Sequence, residues 1–106
     1  MDLRKSVKYD IYVGLIDQDD YTELISVNSF TDMLTAYCTE NRAAFSLSVL
    51  KGGYAHNKGY VIENSLKVEL IGADYDFVKS TAQWLKEKVN TDTVMITKED
   101  IFIQFT

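Results

Sequence analysis

From Lys8 to Ile16 the chain alternates. Tyr9, Ile11, Val13 and Leu15 fall on one side, and Asp10, Tyr12, Gly14 and Ile16 on the other. A period of two in β-forming residues predicts a strand with one wholly apolar face. Asp17-Gln18-Asp19-Asp20 is turn chemistry, and Tyr21 to Val27 is expected to return as a short second arm. The period then changes. Phe30, Met33, Leu34, Tyr37 and Cys38 recur at steps of three and four behind Ser29-Phe30-Thr31-Asp32, which resembles a capping box with Asp in place of Glu. This predicts an amphipathic helix ending near Asn41, a residue that tolerates the left-handed conformation.

Ala44 to Leu50 alternates again, with Phe45, Leu47 and Val49 opposite Ser46 and Ser48. The only glycine cluster follows, between Lys51 and Tyr60, and is expected to form a long connection to a strand from Leu66 to Ile71. Asp74 can cap a second helix, in which Tyr75, Val78, Ala82, Leu85 and Val89 supply the apolar stripe and Asn90 the stop. Thr93 to Thr97 and Ile101 to Phe105 are rich in β-formers, and Lys98-Glu99-Asp100 between them is expected to be a turn or bulge.

The resulting order is β-α-β-β-α-β with an extra C-terminal strand. It predicts an α+β, ferredoxin-like fold, an antiparallel sheet with both helices on one face. Residues 1–106 form one domain, since 106 residues support a single core. Ile11, Val13, Phe45, Leu47, Leu66 and Val68 belong on the helix-covered face. Tyr12, Gly14, Ile16, Ser46, Ser48, Ser65, Lys67 and Glu69 belong on the open one, a face that suits a partner sheet or a ligand.

Charge sharpens this picture by its placement. The formal net charge is -5, but residues 10–40 hold seven acids and no base, whereas residues 41–106 hold eight of each. An acidic chain is a poor partner for nucleic acid or an anionic membrane surface, and neither is expected. Cys38 is the only cysteine, no run of eighteen apolar residues occurs, and no apolar stretch follows the basic N-terminus. A cytoplasmic protein without internal disulfide or export signal is the expectation. One Cys and one His cannot fill a zinc site, and no phosphate-cradling glycine motif is present, so no cofactor or metal is expected.

Several features resemble an uncharacterised bacterial family, one of the domains of unknown function. They are Tyr12-Val13-Gly14-Leu15, a helix begun by Ser and an acid, and Leu47-Ser48-Val49-Leu50-Lys51-Gly52. Gly53-Tyr54 with Gly59 six residues on, Glu63-Asn64-Ser65, and Thr93-Val94-Met95-Ile96 after the second helix complete the set. The resemblance implies the ferredoxin-like pattern and a special central hairpin. It implies no reaction.

Candidate chemistry gathers in two places. The 52–63 connection and its flanks carry Lys51, Tyr54, His56, Lys58 and Tyr60, with Glu63 and Ser65 at the start of the following strand. Glycine there allows close backbone approach, His56 can move a proton, and either lysine can meet an anion. Alternation places Glu63 and Ser65 on one sheet face near Tyr12 or Ser48, where a buried carboxylate would need Lys67 or a backbone donor. A turned, solvated loop and a plain polar row are the simpler readings of the same residues. The second place is the acidic turn, Asp17, Asp19, Asp20 and Glu23. It lacks the glycine and distant Glu of a calcium loop, which leaves a solvated turn or a surface for a protein partner.

Three functions follow in order. First is a non-catalytic, homo-oligomeric binding module that holds a small molecule or protein partner on its open face and hairpin. Second is a small acidic inhibitor or adaptor of phage or mobile-element type, acting through residues 10–40. Third is an enzyme using His56 and Glu63 for proton transfer.

Overall fold

A computed structural model describes residues 2–16, 19, 22, 23, 25–57 and 59–106, with the His56 side chain outside the description. The order is β1 (Arg4–Gly14), α1 (Val27–Glu40), β2 (Ser46–His56), β3 (Gly59–Ile71), α2 (Tyr75–Val89) and β4 (Met95–Ile103). All strand pairs are antiparallel, in the sheet order β2-β3-β1-β4. This is the ferredoxin-like α+β plan.

The core lies between one sheet face and the helices. Ile11, Val13, Leu66 and Val68 from the strands and Phe30, Leu34, Cys38, Val78 and Leu85 from the helices have no solvent exposure. Their spacing, two on strands and three or four on helices, brings all of them to one layer. The helices meet through stacked rings, with Tyr37 and Trp84 4.3 Å apart between centroids. Burial pushes the Cys38 thiol pKa up, as expected of a small inert hydrophobe.

Five boundaries differ from the sequence expectation, each for a physical reason. Helix α1 begins one turn earlier, where the Ser26 side chain accepts from the Ser29 backbone N–H. At its end Asn41 is not left-handed; Arg42 is, with φ 54°. The expected second arm at 21–27 reduces, among the described residues, to one bridge between Ile16 and Glu23. Lys98-Glu99-Asp100 is no turn, because it pairs with Tyr9, Lys8 and Val7, and the expected extra strand is therefore the second half of β4. The largest difference is the glycine cluster. Gly52 pairs with Glu63, Gly53 with Ile62, Tyr54 with Val61 and Ala55 with Tyr60, so the expected loop is two strand arms.

The strands are offset along their length. Gly14 pairs with Ser65, so residues 59–64 of β3 run past the end of its ladder with β1, and at the other end Arg4 to Val7 run beyond Ile71 with β4. The molecule is accordingly 53 Å long but only 28 and 23 Å across.

Candidate functional site

The register sorts the open face into rows, since residues directly opposite in a sheet share a face. One row is Ser46, Glu69, Asp10 and Thr97; the next is Ser48, Lys67, Tyr12 and Met95; then come Leu50, Ser65 and Gly14; and Gly52 and Glu63 close the series. Gly14, Gly52, Ser65 and Ser48 are small. They make a low floor bordered by the larger Tyr12, Lys67, Leu50, Glu63 and Tyr54.

Glu63 is the most constrained group on this floor. Its Oε2 accepts a hydrogen bond from the Ile16 backbone N–H at 3.0 Å. To reach that donor its carboxylate lies directly over the Gly14 backbone, and a Cβ at Gly14 would collide with it. Gly14 thus has a packing reason to be glycine. A hydrogen bond of this type from a backbone donor fixes the position of the carboxylate. Oε1 is the carboxylate atom that lies closest over Gly14.

Two further contacts hold the segment. Leu15 N–H donates to the Asn64 carbonyl at 3.0 Å, and the Asn64 side-chain amide donates to Glu23 Oε1 at 2.8 Å. The end of β1 and the return segment are therefore both stitched to Asn64, the residue after Glu63. One row away, the Lys67 ammonium stands 6.0 Å from the centroid of the Tyr12 ring, a cation–π arrangement.

Farther along the same face Lys8 collects three carboxylates, Asp10 at 3.7 Å, Glu69 at 3.8 Å and Glu99 at 3.6 Å. The Asp10 charge, followed by that of Glu99, raises the Lys8 pKa above its ordinary value. Asp10 is only 6 % exposed, and its Oδ1 has no hydrogen-bond partner. This cluster ties β1, β3 and β4 together.

The expected site residues are divided by the structure. Tyr12, Glu63 and Ser65 share the open face around Gly14, and alternation along β2 puts Tyr54 there too. Lys51 and Tyr60 lie on the opposite face of the hairpin, where the Tyr60 ring covers Gly53 so closely that a Cβ would clash. The single loop-borne cluster expected from sequence is thus two faces of a ribbon, because strand pleating separates alternate residues. Lys58 and the His56 side chain lie outside the described residues.

In the acidic turn, Asp17 and Asp20 also lie outside them. Asp19 and Glu23 are exposed, yet each accepts a side-chain amide, from Asn90 at 2.9 Å and Asn64 at 2.8 Å respectively. Part of the turn's charge therefore has an internal structural use. The sequence reading named Lys67 or a backbone donor as the partner Glu63 would need; the donor is the Ile16 N–H, and what the reading missed is Gly14 as the cradle. Gly14 carried a signal, a glycine inside an otherwise β-rich strand.

A cleft of about 370 Å³ lined by Arg42, Gly72, Asp74 and Phe77 lies at the far end, where β3 leaves the sheet. It has none of the cradle's convergent groups. No described helix is long and apolar enough to cross a membrane.

No protein-family model and no curated protein matches the chain. Solved structures do. A phage SAM lyase in complex with S-methyl-5'-thioadenosine superposes with a TM-score of 0.69 at 20 % identity, over 94 % of this chain and 90 % of that one. A phage SAM lyase in the apo state gives 0.67 at 19 % identity, over 92 % and 84 %. At this identity the likeness establishes a shared fold.

Proposed function

We propose that this chain is a small phage-type protein whose open sheet face binds an adenosine-bearing sulfonium or thioether. The observation that carries the reading is the Glu63 carboxylate, anchored by the Ile16 N–H and lying over Gly14 on the open face. A fixed carboxylate beside aromatic rings favours a positively charged sulfur over water, through Coulomb attraction and the negative faces of the rings. The phage structures of the same fold support this class, since one of them holds a methylthioadenosine. Ser65, Ser48 and Gly52 leave room for a flat base on the floor, with Tyr54 and Tyr12 at its border.

The name of those neighbours also favours a second, catalytic reading. Methylthioadenosine keeps the methyl and adenosyl groups on sulfur, so a lyase releasing it from SAM must break the third carbon–sulfur bond, to the amino-acid limb. His56, once expected to move a proton, is not needed for binding of this kind.

Titration calorimetry of the chain with SAM and with S-methyl-5'-thioadenosine tests the first reading, and chromatography of the same mixtures tests the second. Saturable binding that Glu63→Ala abolishes supports the assignment, and release of methylthioadenosine adds the catalytic step. Absence of binding to either compound overturns both readings.

A further inference from the structure

The Glu63 carboxylate depends on a donor that lies beyond the strand. Ile16 is two residues past Gly14, where β1 and its ladder with β3 end, so that ladder does not fix the direction of its N–H. Three other contacts do. Leu15 N–H donates to the Asn64 carbonyl at 3.0 Å, Ile16 pairs with Glu23 in an isolated antiparallel bridge, and the Asn64 side-chain amide donates to Glu23 Oε1 at 2.8 Å. These contacts close a ring, from Leu15-Ile16 to Glu23, from Glu23 to Asn64, and from Asn64 back to Leu15.

The ring lies across the sheet from the carboxylate it serves. Glu63 and Ser65 are on the open face, and Asn64 between them projects to the face of Leu66 and Val68. Glu23 therefore reaches β3 from the helix side, while Glu63 reaches Ile16 from the open side. The two acids grip the same pair of backbone segments from opposite faces. Glu23 is exposed, so its side chain adds little to stability. What it removes is a freedom of the Ile16 peptide. Hydrogen bonds weaken steeply as the donor angle closes, so a modest rotation of that peptide is enough to release the carboxylate.

We propose that Glu23 is a positioning residue for the open-face site: by holding Asn64 it sets the Ile16 N–H, and through that donor the place of the Glu63 carboxylate. This role rests on the reading above that Glu63 meets the ligand, and adds that a side chain on the far side of β3 governs the affinity. One acid of the turn thus works inward.

An exchange of donor and acceptor tests the pair, read by calorimetry with SAM. Glu23→Gln keeps an oxygen for the Asn64 amide and should bind as the wild type does. Asn64→Asp sets two carboxylates against each other and should weaken SAM about tenfold, the worth of a hydrogen bond to a charged group. Glu23→Ala should weaken it by less, in a protein that melts within a few degrees of the wild type. Glu23→Gln combined with Asn64→Asp reverses the hydrogen bond and should restore the affinity, which general loosening of the segment would not do.

Full SAM affinity in both Asn64→Asp and Glu23→Ala, or a double variant no better than Asn64→Asp alone, overturns the positioning role while the adenosyl-binding reading stands. If the wild type binds neither SAM nor S-methyl-5'-thioadenosine, that reading falls, and a crystal structure of Glu23→Ala decides the positioning by itself. Glu63 displaced from Ile16 upholds it, and Glu63 still in place overturns it.

Discussion

On the sheet face turned toward the helices, Ile11, Val13, Leu66 and Val68 are wholly buried, whereas on the other face the same strands hold Lys8, Asp10, Tyr12, Gly14 and Lys67. The covered face is apolar and close-packed, so any residue of the right volume and hydrophobicity contributes in the same way. On the open face three charged groups have particular partners. Lys8 has its carboxylates, Glu63 its backbone donor, and Lys67 its ring. One face supplies stability without direction and the other supplies direction at little stability. Substitutions on the two faces should therefore separate melting from binding.

The largest effect is expected on the covered face. Phe30→Ala should cost about 3–5 kcal/mol, the usual range for emptying a buried aromatic site, as read from urea unfolding. If any of that protein remains folded, it should bind ligand as the wild type does. Weakened binding by the folded fraction would break the separation of the two faces.

Gly14→Ala should do the reverse. The new methyl displaces a flexible carboxylate end rather than backbone, so stability should fall by only about 1 kcal/mol, the value of one hydrogen bond. Ligand affinity should fall about tenfold or more as Glu63 leaves Ile16. An alanine variant that binds normally would show that the carboxylate's position is irrelevant.

Lys8→Met probes the structural part of the open face through pH. The raised Lys8 pKa means that its stabilising contribution is fully present below the ordinary lysine value and is lost as pH rises through the folded value. The wild type should lose melting temperature across that alkaline window, and the variant should lack this step. Smallest of all, Ser48→Ala on the open floor should change stability by no more than about 0.5 kcal/mol, within the scatter of repeated melts.

The covered face was legible in the sequence because alternation and helical spacing report burial directly. Asp74 and Asn90 were legible for the same local reason, an N-cap oxygen and a left-handed stop. The hairpin was not. Gly52, Gly53 and Gly59 look like chain breakers, and only the Tyr60 ring lying over Gly53 explains a glycine inside a strand. Lys98-Glu99-Asp100 misled in the same way, since three charged residues signal a turn until their pairing with Tyr9, Lys8 and Val7 is seen. Glu63 and Ser65 could be assigned a face, and Tyr12 could be placed near them. The Ile16 donor could not be foreseen, because the bond joins residues 47 positions apart and depends on where the ladder stops.

That stopping point has a practical consequence. Beyond Gly14 one more backbone bond joins Leu15 to Asn64, and at Ile16 a side chain takes over. The Ile16 amide proton thus belongs at once to the scaffold and to the carboxylate of the proposed site. Its resonance in a heteronuclear NMR spectrum should move when Glu63 is neutralised or a sulfonium is drawn to it. A single backbone peak can then follow occupancy of the cradle without any label on the ligand.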